Sequence, residues 1–112
     1  MVVKNKQGDI IAGDLKLADT FFTRFKGLIG TKELKAGEGL LIKPCNGIHM
    51  FWMSYSIDAV FLDKDFGVVH LIKGIKPWRM SPIIKDAKMV LELPVGTIEK
   101  YKITVGETLF IS

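Results

Sequence analysis

The sequence predicts a mainly β fold, a compact single-domain sandwich or barrel of short strands with one short amphipathic helix. Short apolar segments recur at close spacing along the chain, and turn-forming residues separate them. Only one stretch has clear helical periodicity. A chain of 112 residues without a repeat, a linker or a low-complexity segment fits one domain, residues 1–112.

The amino-terminal part predicts a hairpin, a further strand and the helix. Asp19 or Thr20 can cap this helix, because a short side-chain oxygen accepts hydrogen bonds from the first free amides. The helix is expected from about Phe21 to Ile29, with Gly30 as its stop. Its apolar face consists of Phe21, Phe25 and Leu28. The strands before it are predicted at 2–4, 10–12 and 15–18.

The centre of the chain, Gly39 to Leu62, holds the densest apolar run and the only cysteine. Two extended segments flank a turn at 44–47, and a third follows the polar break at 54–56. The later elements are predicted as a hairpin of 58–62 and 68–72, an irregular segment at 75–82, a strand at 88–93, one or two helical turns at 97–102 and a strand at 108–111. The predicted core consists of Leu40, Leu41, Ile42, Ile48, Met50, Trp52, Val60, Leu62, Val90 and Leu91.

Charge and composition limit the classes of function. The net charge of +4 permits at most weak attraction to nucleic acid or acidic membrane surfaces. Residues 73–88 hold five cationic side chains and one acidic side chain, so they form either a solvated basic face or a surface for nucleic acid. One cysteine cannot form an internal disulfide, and neither a signal peptide nor a transmembrane segment is indicated. We therefore expect a cytoplasmic protein.

Several motifs are long and uncommon in composition. The central ones are Gly39-Leu40-Leu41-Ile42-x-Pro44-Cys45-Asn46-x-Ile48-His49-Met50-Phe51-Trp52-Met53 and Ile57-Asp58-x-Val60-Phe61-Leu62-Asp63. The flanking ones are Arg24-x-x-Gly27-Leu28, Pro77-Trp78, Leu91-Glu92-Leu93-Pro94-x-Gly96 and Val105-Gly106-Glu107. Through them the chain resembles the DUF192 family of small proteins of unknown function, roughly from Arg24 to Phe110. The resemblance implies a compact mainly β domain and attaches no reaction, ligand or partner. Two turn residues, Phe66 and Glu107, depart from the family pattern without weakening it.

Cys45 and His49 are the first candidates for chemistry, as a nucleophile and its base with Asp58 orienting the imidazole. Four residues of straight strand span about 13 Å, and a tight Asn46-Gly47 turn sends the two side chains to opposite faces. We therefore predict that they border a functional surface without forming a catalytic dyad. The simpler interpretation is a small buried thiol and a hydrogen-bonded histidine.

No metal and no cofactor are expected. Cys45, His49, Asp58 and His70 are suitable ligand types, but no two of them have the spacing of a known metal motif. No glycine-rich loop precedes a helix at the spacing that binds phosphate.

Asp58 stands in an apolar strand, where an unpaired carboxylate is very costly. Arg24, on the predicted helix, is its expected partner in a structural ion pair. Trp52 is predicted to fill the core. Trp78, beside Arg79, either stacks against a base or sugar ring or pins its loop to the sheet.

Three functions stay open. The first is a binding module for a small molecule or protein, with a cleft near the Cys45–His49 turn and the Pro77–Arg79 loop. Its ligand-binding candidates are Cys45, His49, Trp78 and Arg79. The second is a small hydrolase or transferase that depends on Cys45 and His49. The third is weak association with nucleic acid through residues 73–88. We favour the first because it requires the least unproven geometry.

Overall fold

The computed structural model describes residues 1–112 as eight strands and two short helices. In chain order they are β1 (Val3–Lys4), β2 (Ile10–Ala12), β3 (Asp14–Ala18), α1 (Phe21–Lys26), β4 (Glu38–Ile42), β5 (Ile57–Leu62), β6 (Val68–Ile75), β7 (Met89–Pro94), α2 (Thr97–Tyr101) and β8 (Phe110–Ile111). The strands form a three-stranded sheet, β2-β1-β8, and a five-stranded sheet, β3-β4-β7-β5-β6. Neither sheet closes into a barrel, and the mainly β class is confirmed.

All strand pairs are antiparallel except β3 with β4, which α1 and the following loop connect as a crossover. Every strand predicted at the two ends of the chain forms, and so does the second helix. Neither helix has the length and apolar composition needed to cross a membrane.

The central strands of the five-stranded sheet are apolar at successive positions. Because alternate side chains along a strand point to opposite sides, both faces of the sheet are apolar. One face packs against the three-stranded sheet, so that Leu41 and Leu91 share a core with Val3. The other face carries a second core around Phe61 and Val90. Irregular segments, rather than another sheet, cover this second face.

The strand predicted directly after the 44–47 turn does not form. Residues 48–53 make only one isolated bridge, between His49 and Met80, and the chain then bends back at Met50. Met50 is buried, whereas Trp52 is 67% exposed with a φ of 69°, so its assignment to the core was wrong. All the other predicted core residues are buried. Residues 50–53 are all apolar, so their hydrophobic pattern has no period that would distinguish a strand from a bend.

Helix α1 is shorter than expected and packs differently. Its cap is Thr20, whose hydroxyl accepts the amide hydrogen three residues further on at 3.0 Å, and Gly27 ends it instead of Gly30. No residue of α1 is buried, and Phe21 and Phe25 are 81% and 65% exposed. Helix α1 therefore does not bury the apolar face that its spacing predicts. Only Leu28, beyond the end of the helix, packs against the core.

The buried carboxylate of Asp58 connects three elements. Its Oδ1 accepts the Gly74 amide at 2.9 Å, and its Oδ2 accepts the Gly96 and Ile98 amides at 3.1 and 2.9 Å. Opposite Asp58 the β6 strand has one extra residue, and a bulge of this kind frees an amide from the ladder. The Gly96 and Ile98 amides begin α2, where a helix leaves its first donors without partners. One carboxylate thus satisfies donors that the backbone leaves free.

We predict that Asp58→Asn lowers the free energy of unfolding by about 2 kcal/mol or more, because an amide cannot accept at both positions and leaves buried donors unpaired. Urea denaturation measures this loss. The matched control is Asp65→Asn in the exposed β5–β6 turn, which should cost less than about 0.5 kcal/mol. Equal losses in the two variants would contradict the role of Asp58.

Candidate functional site

A cavity of about 130 Å³ lies on the second face of the five-stranded sheet. One wall is α1 with the loop that follows it, and the other is the segment from Pro44 to Met53. Ile42 of β4 and Glu92 of β7 line it from the sheet. Apolar residues form about half of the lining, and a few polar groups among apolar walls are typical of small-molecule sites. The polar side chains with possible chemistry are Arg24, Cys45, His49 and Glu92.

Backbone hydrogen bonds to residues 77–83 fix the second wall. The Met50 amide donates to the Arg79 carbonyl at 2.7 Å, and the Ser81 amide donates to the Ile48 carbonyl at 2.9 Å. The Ser81 hydroxyl in turn accepts the Ile48 amide hydrogen at 2.9 Å. The 48–53 segment therefore belongs to a two-stranded ribbon that lies over the sheet, and its position depends on contacts far along the chain.

Glu92 is the most unusual group of the cavity. It lies in the middle of the sheet, in register between Leu40 and Ala59, and is only 5% exposed. No hydrogen bond or salt bridge reaches its carboxyl group. Burial alone raises the pKa of Glu92 from 4.5 to about 7. This acid is therefore divided between its neutral and ionised forms near neutral pH.

Arg24 reaches the cavity from α1. Its Nη1 donates to the Pro44 carbonyl at 3.3 Å, and its Nε–H is buried without an acceptor. The ion pair predicted between Arg24 and Asp58 does not form, because backbone amides already occupy both oxygens of Asp58. Since buried donors are nearly always paired in proteins, an unpartnered guanidinium N–H beside a cavity is unusual.

Cys45 and His49 both line the cavity but bond to different backbone groups. The Cys45 thiol donates to the Gly47 carbonyl at 3.1 Å, and His49 Nδ1 accepts the Phe51 amide at 3.3 Å. Burial, aided by the negative charge of Glu92, raises the pKa of the Cys45 thiol. The two side chains are not joined by a hydrogen bond, and this arrangement favours the neutral thiol over the thiolate that catalysis requires.

Trp78 and Arg79 are not part of the cavity lining. Trp78 is 56% exposed, and its ring lies edge-on to that of Trp52 with centroids 4.9 Å apart. Phe51 connects this pair with His49, whose ring it stacks against at 4.9 Å. The four predicted ligand-binding residues therefore divide between two places, the cavity and the outer side of the ribbon.

Sequence reasoning did not select Glu92 as a site residue, although a signal was present. Glu92 is a lone acid in the centre of an apolar strand, which is the same observation that singled out Asp58. What distinguishes the two acids is the supply of nearby free amides, and only the folded chain shows this. No group of three or more His, Cys, Asp or Glu side chains is placed to hold a metal ion.

Fold and cavity together define a class of small two-sheet β proteins with a cavity between one sheet face and its irregular cover. The profile of the DUF192 family, described as an uncharacterised ACR, matches residues 2–111. The chain therefore belongs to the DUF192 family, and the match includes the amino-terminal hairpin in addition to the motifs that indicated the resemblance.

Curated relatives and solved structures agree with this assignment. A UPF0127 protein of Thermococcus sibiricus is 37% identical over 97% of this chain and 73% of its own length. A UPF0127 protein of Pyrococcus horikoshii is 32% identical over 97% of this chain and 96% of its own. A protein of unknown function from Novosphingobium aromaticivorans superposes with a TM-score of 0.83 at 22% identity, over 98% of this chain and 82% of its own. A candidate transcription regulator from Sinorhizobium meliloti superposes with a TM-score of 0.79 at 20% identity, over 97% of this chain and 89% of its own. The two structures support the fold alone.

We predict that Cys45 reacts slowly with iodoacetamide at neutral pH, because its pKa is raised and only the thiolate reacts. The rate should rise only at alkaline pH, and His49→Ala should leave this profile unchanged. Glu92→Gln should shift the profile to lower pH, because the variant removes a negative charge that opposes the thiolate. A thiolate pKa of about 6 that rises in His49→Ala would show instead that the two side chains interact.

Glu92 should also make stability depend on pH. The folded state binds the Glu92 proton more tightly than the unfolded state does. The contribution of this proton to the free energy of unfolding is therefore complete below about pH 4.5 and is lost as the pH rises through about 7. The loss should be of the order of 3 kcal/mol. Urea titrations of the parent protein and of Glu92→Gln across this pH range isolate the Glu92 contribution to the free energy of unfolding, because the other titrating groups are common to both proteins. A constant difference between the two proteins would contradict the assignment.

Proposed function

We propose that the protein is a binding module that holds a small ligand in the cavity between α1 and residues 44–53. The proposal rests on the carboxyl group of Glu92, which is only 5% exposed, lines the cavity and has no hydrogen-bond partner. Burial of such a group is unfavourable unless another group bonds to it. A ligand that donates a hydrogen bond to Glu92 would offset this cost.

The dimensions and the polar groups of the cavity restrict the ligand. An engineered cavity of about 150 Å³ accepts a benzene molecule, so a cavity of about 130 Å³ fits a group of similar size. The ligand needs a donor for Glu92, and the guanidinium of Arg24 favours an acceptor on the same molecule. Small amides and alcohols, or the corresponding end of a larger molecule, meet both conditions, and ammonium compounds meet the first.

The two other functions receive less support. A Cys45- and His49-dependent hydrolase or transferase would need an activated thiol, whereas burial raises the pKa of this one. Nucleic-acid association through residues 73–88 stays a prediction. One of the five cations in that segment, Lys73, is already paired with Glu99 at 2.8 Å.

Three probes of similar size and different polar groups test the proposal: benzylamine, benzamide and benzoate. Benzylamine should bind more tightly as the pH rises from about 5.5 to about 8, by about tenfold or more, because its ammonium group pairs with ionised Glu92. Benzamide should change by less than about twofold over the same range, and benzoate should weaken as Glu92 becomes negative. Titrations followed by the amide NMR signals of Gly27, Gly47 and His49 measure binding at the cavity itself.

The matched variants are Glu92→Gln, which removes the ionisable group, and Glu33→Gln, an exposed acid outside the cavity lining. Glu92→Gln should abolish the pH dependence of benzylamine binding, and Glu33→Gln should preserve it. If none of the three probes moves the cavity signals, or if Glu92→Gln leaves the benzylamine profile intact, the proposal is wrong.

A further inference from the structure

The aromatic ribbon, residues 47–53 paired with residues 77–83, has an outer side whose large apolar side chains do not line the cavity. Its inner side is buried, with Ile48, Met50 and Ser81 turned towards the sheet. Its outer side carries large apolar groups in contact with solvent. They are Trp52 (67% exposed), Trp78 (56%), Met80 (66%) and Ile83 (71%). Such a concentration of exposed apolar side chains on one short element typically marks an interaction surface.

The backbone holds both indoles in this position. Trp52 and Trp78 have φ angles of 69° and 67°, a left-handed conformation that bulky side chains rarely adopt. The amide of Trp78 donates to the Met50 carbonyl at 2.8 Å and so fixes one loop against the other. Unfavourable backbone angles at two exposed tryptophans indicate a feature that serves a function rather than folding.

The chain segment that carries Trp78, Met80 and Ile83 is positively charged. Residues 76–88 hold Lys76, Arg79, Lys85 and Lys88, and none of these four takes part in a salt bridge. Asp86 is the only acidic residue in the segment. The surface therefore combines tryptophan, aliphatic side chains and unpaired cations, which suits a partner that is both apolar and anionic.

We propose that the outer side of the aromatic ribbon docks onto an anionic membrane surface, with Trp52 and Trp78 at the level of the headgroups. Indole rings prefer this interface, and lysine and arginine side chains attract anionic lipids. A nucleic acid could stack on the indoles but would leave Met80 and Ile83 without a partner. A second copy of the chain would place the same positive segment on both sides of a two-fold interface.

The test uses the intact protein and lipid vesicles. Trp52 and Trp78 are the only tryptophans, so intrinsic fluorescence reports on this surface alone. Vesicles with equal parts of phosphatidylcholine and phosphatidylglycerol should shift the emission to the blue, and vesicles of pure phosphatidylcholine should bind much more weakly. Co-sedimentation should show that Trp52→Ala and Trp78→Ala each weaken binding about tenfold, and that Arg79→Glu and higher salt also weaken it.

Phe110→Ala is the matched control, because Phe110 is 52% exposed on the three-stranded sheet and should not affect vesicle binding. Circular dichroism shows whether each variant is folded. Absence of vesicle binding, or binding that is unchanged in both tryptophan variants, would overturn the proposal. So would tryptophan quenching by oligo(dT) without vesicle binding, or a dimer in sedimentation equilibrium that the tryptophan variants dissociate.

Discussion

A buried carboxylate must find hydrogen-bond donors, and this requirement organises the five-stranded sheet of the protein. Asp58 and Glu92 lie on the neighbouring strands β5 and β7, one register position apart. Since Glu92 is paired with Ala59 and Asp58 with Leu93, the two acids point to opposite faces of the sheet. Asp58 meets three amides on its face and joins the β6 bulge to the start of α2. Glu92 meets none, and a cavity lies above it.

The difference in hydrogen bonding between Asp58 and Glu92 distinguishes a structural role from a functional one more clearly than their residue types do. A satisfied carboxylate stabilises the fold, whereas an unsatisfied one at the same depth destabilises it unless something else binds there. Natural proteins keep such unfavourable groups mainly where function requires them. Glu92, with its raised pKa, and Arg24, whose Nε–H has no acceptor, line the same cavity, and they are the reason to place a ligand there.

Local patterns predicted most of the fold. The hairpin strands, the β7 strand and the second helix follow from alternation and turn residues, which act over a few neighbouring positions. The patterns failed where long-range contacts decide the conformation. Nothing local shows that residues 48–53 pair with 77–83 or that Trp52 faces solvent. The phenylalanines of α1 have helical spacing, yet they lie within the helix and stay exposed.

The candidate site was predictable only in part, for the same reason. Cys45 and His49 share one short segment, and the cavity lining includes both. Arg24 was selected for a charge partner that it does not have, since the three amides around Asp58 come from distant parts of the chain. Selecting Glu92 as a site residue requires knowing which acid the backbone amides leave without hydrogen bonds. Only the folded chain shows this, although the motif Leu91-Glu92-Leu93 is visible in the sequence.

The two proposed surfaces share one structural element, and this has a thermodynamic consequence. His49 of the aromatic ribbon lines the cavity and stacks against Phe51, whose ring lies 6.0 Å from that of Trp78 on the outer side. The ribbon rests on a few hydrogen bonds between two irregular segments rather than on a continuous sheet. Any partner that orders the ribbon from its outer side therefore also orders a wall of the cavity. By linkage, a ligand in the cavity must change the affinity of the outer side by the same factor.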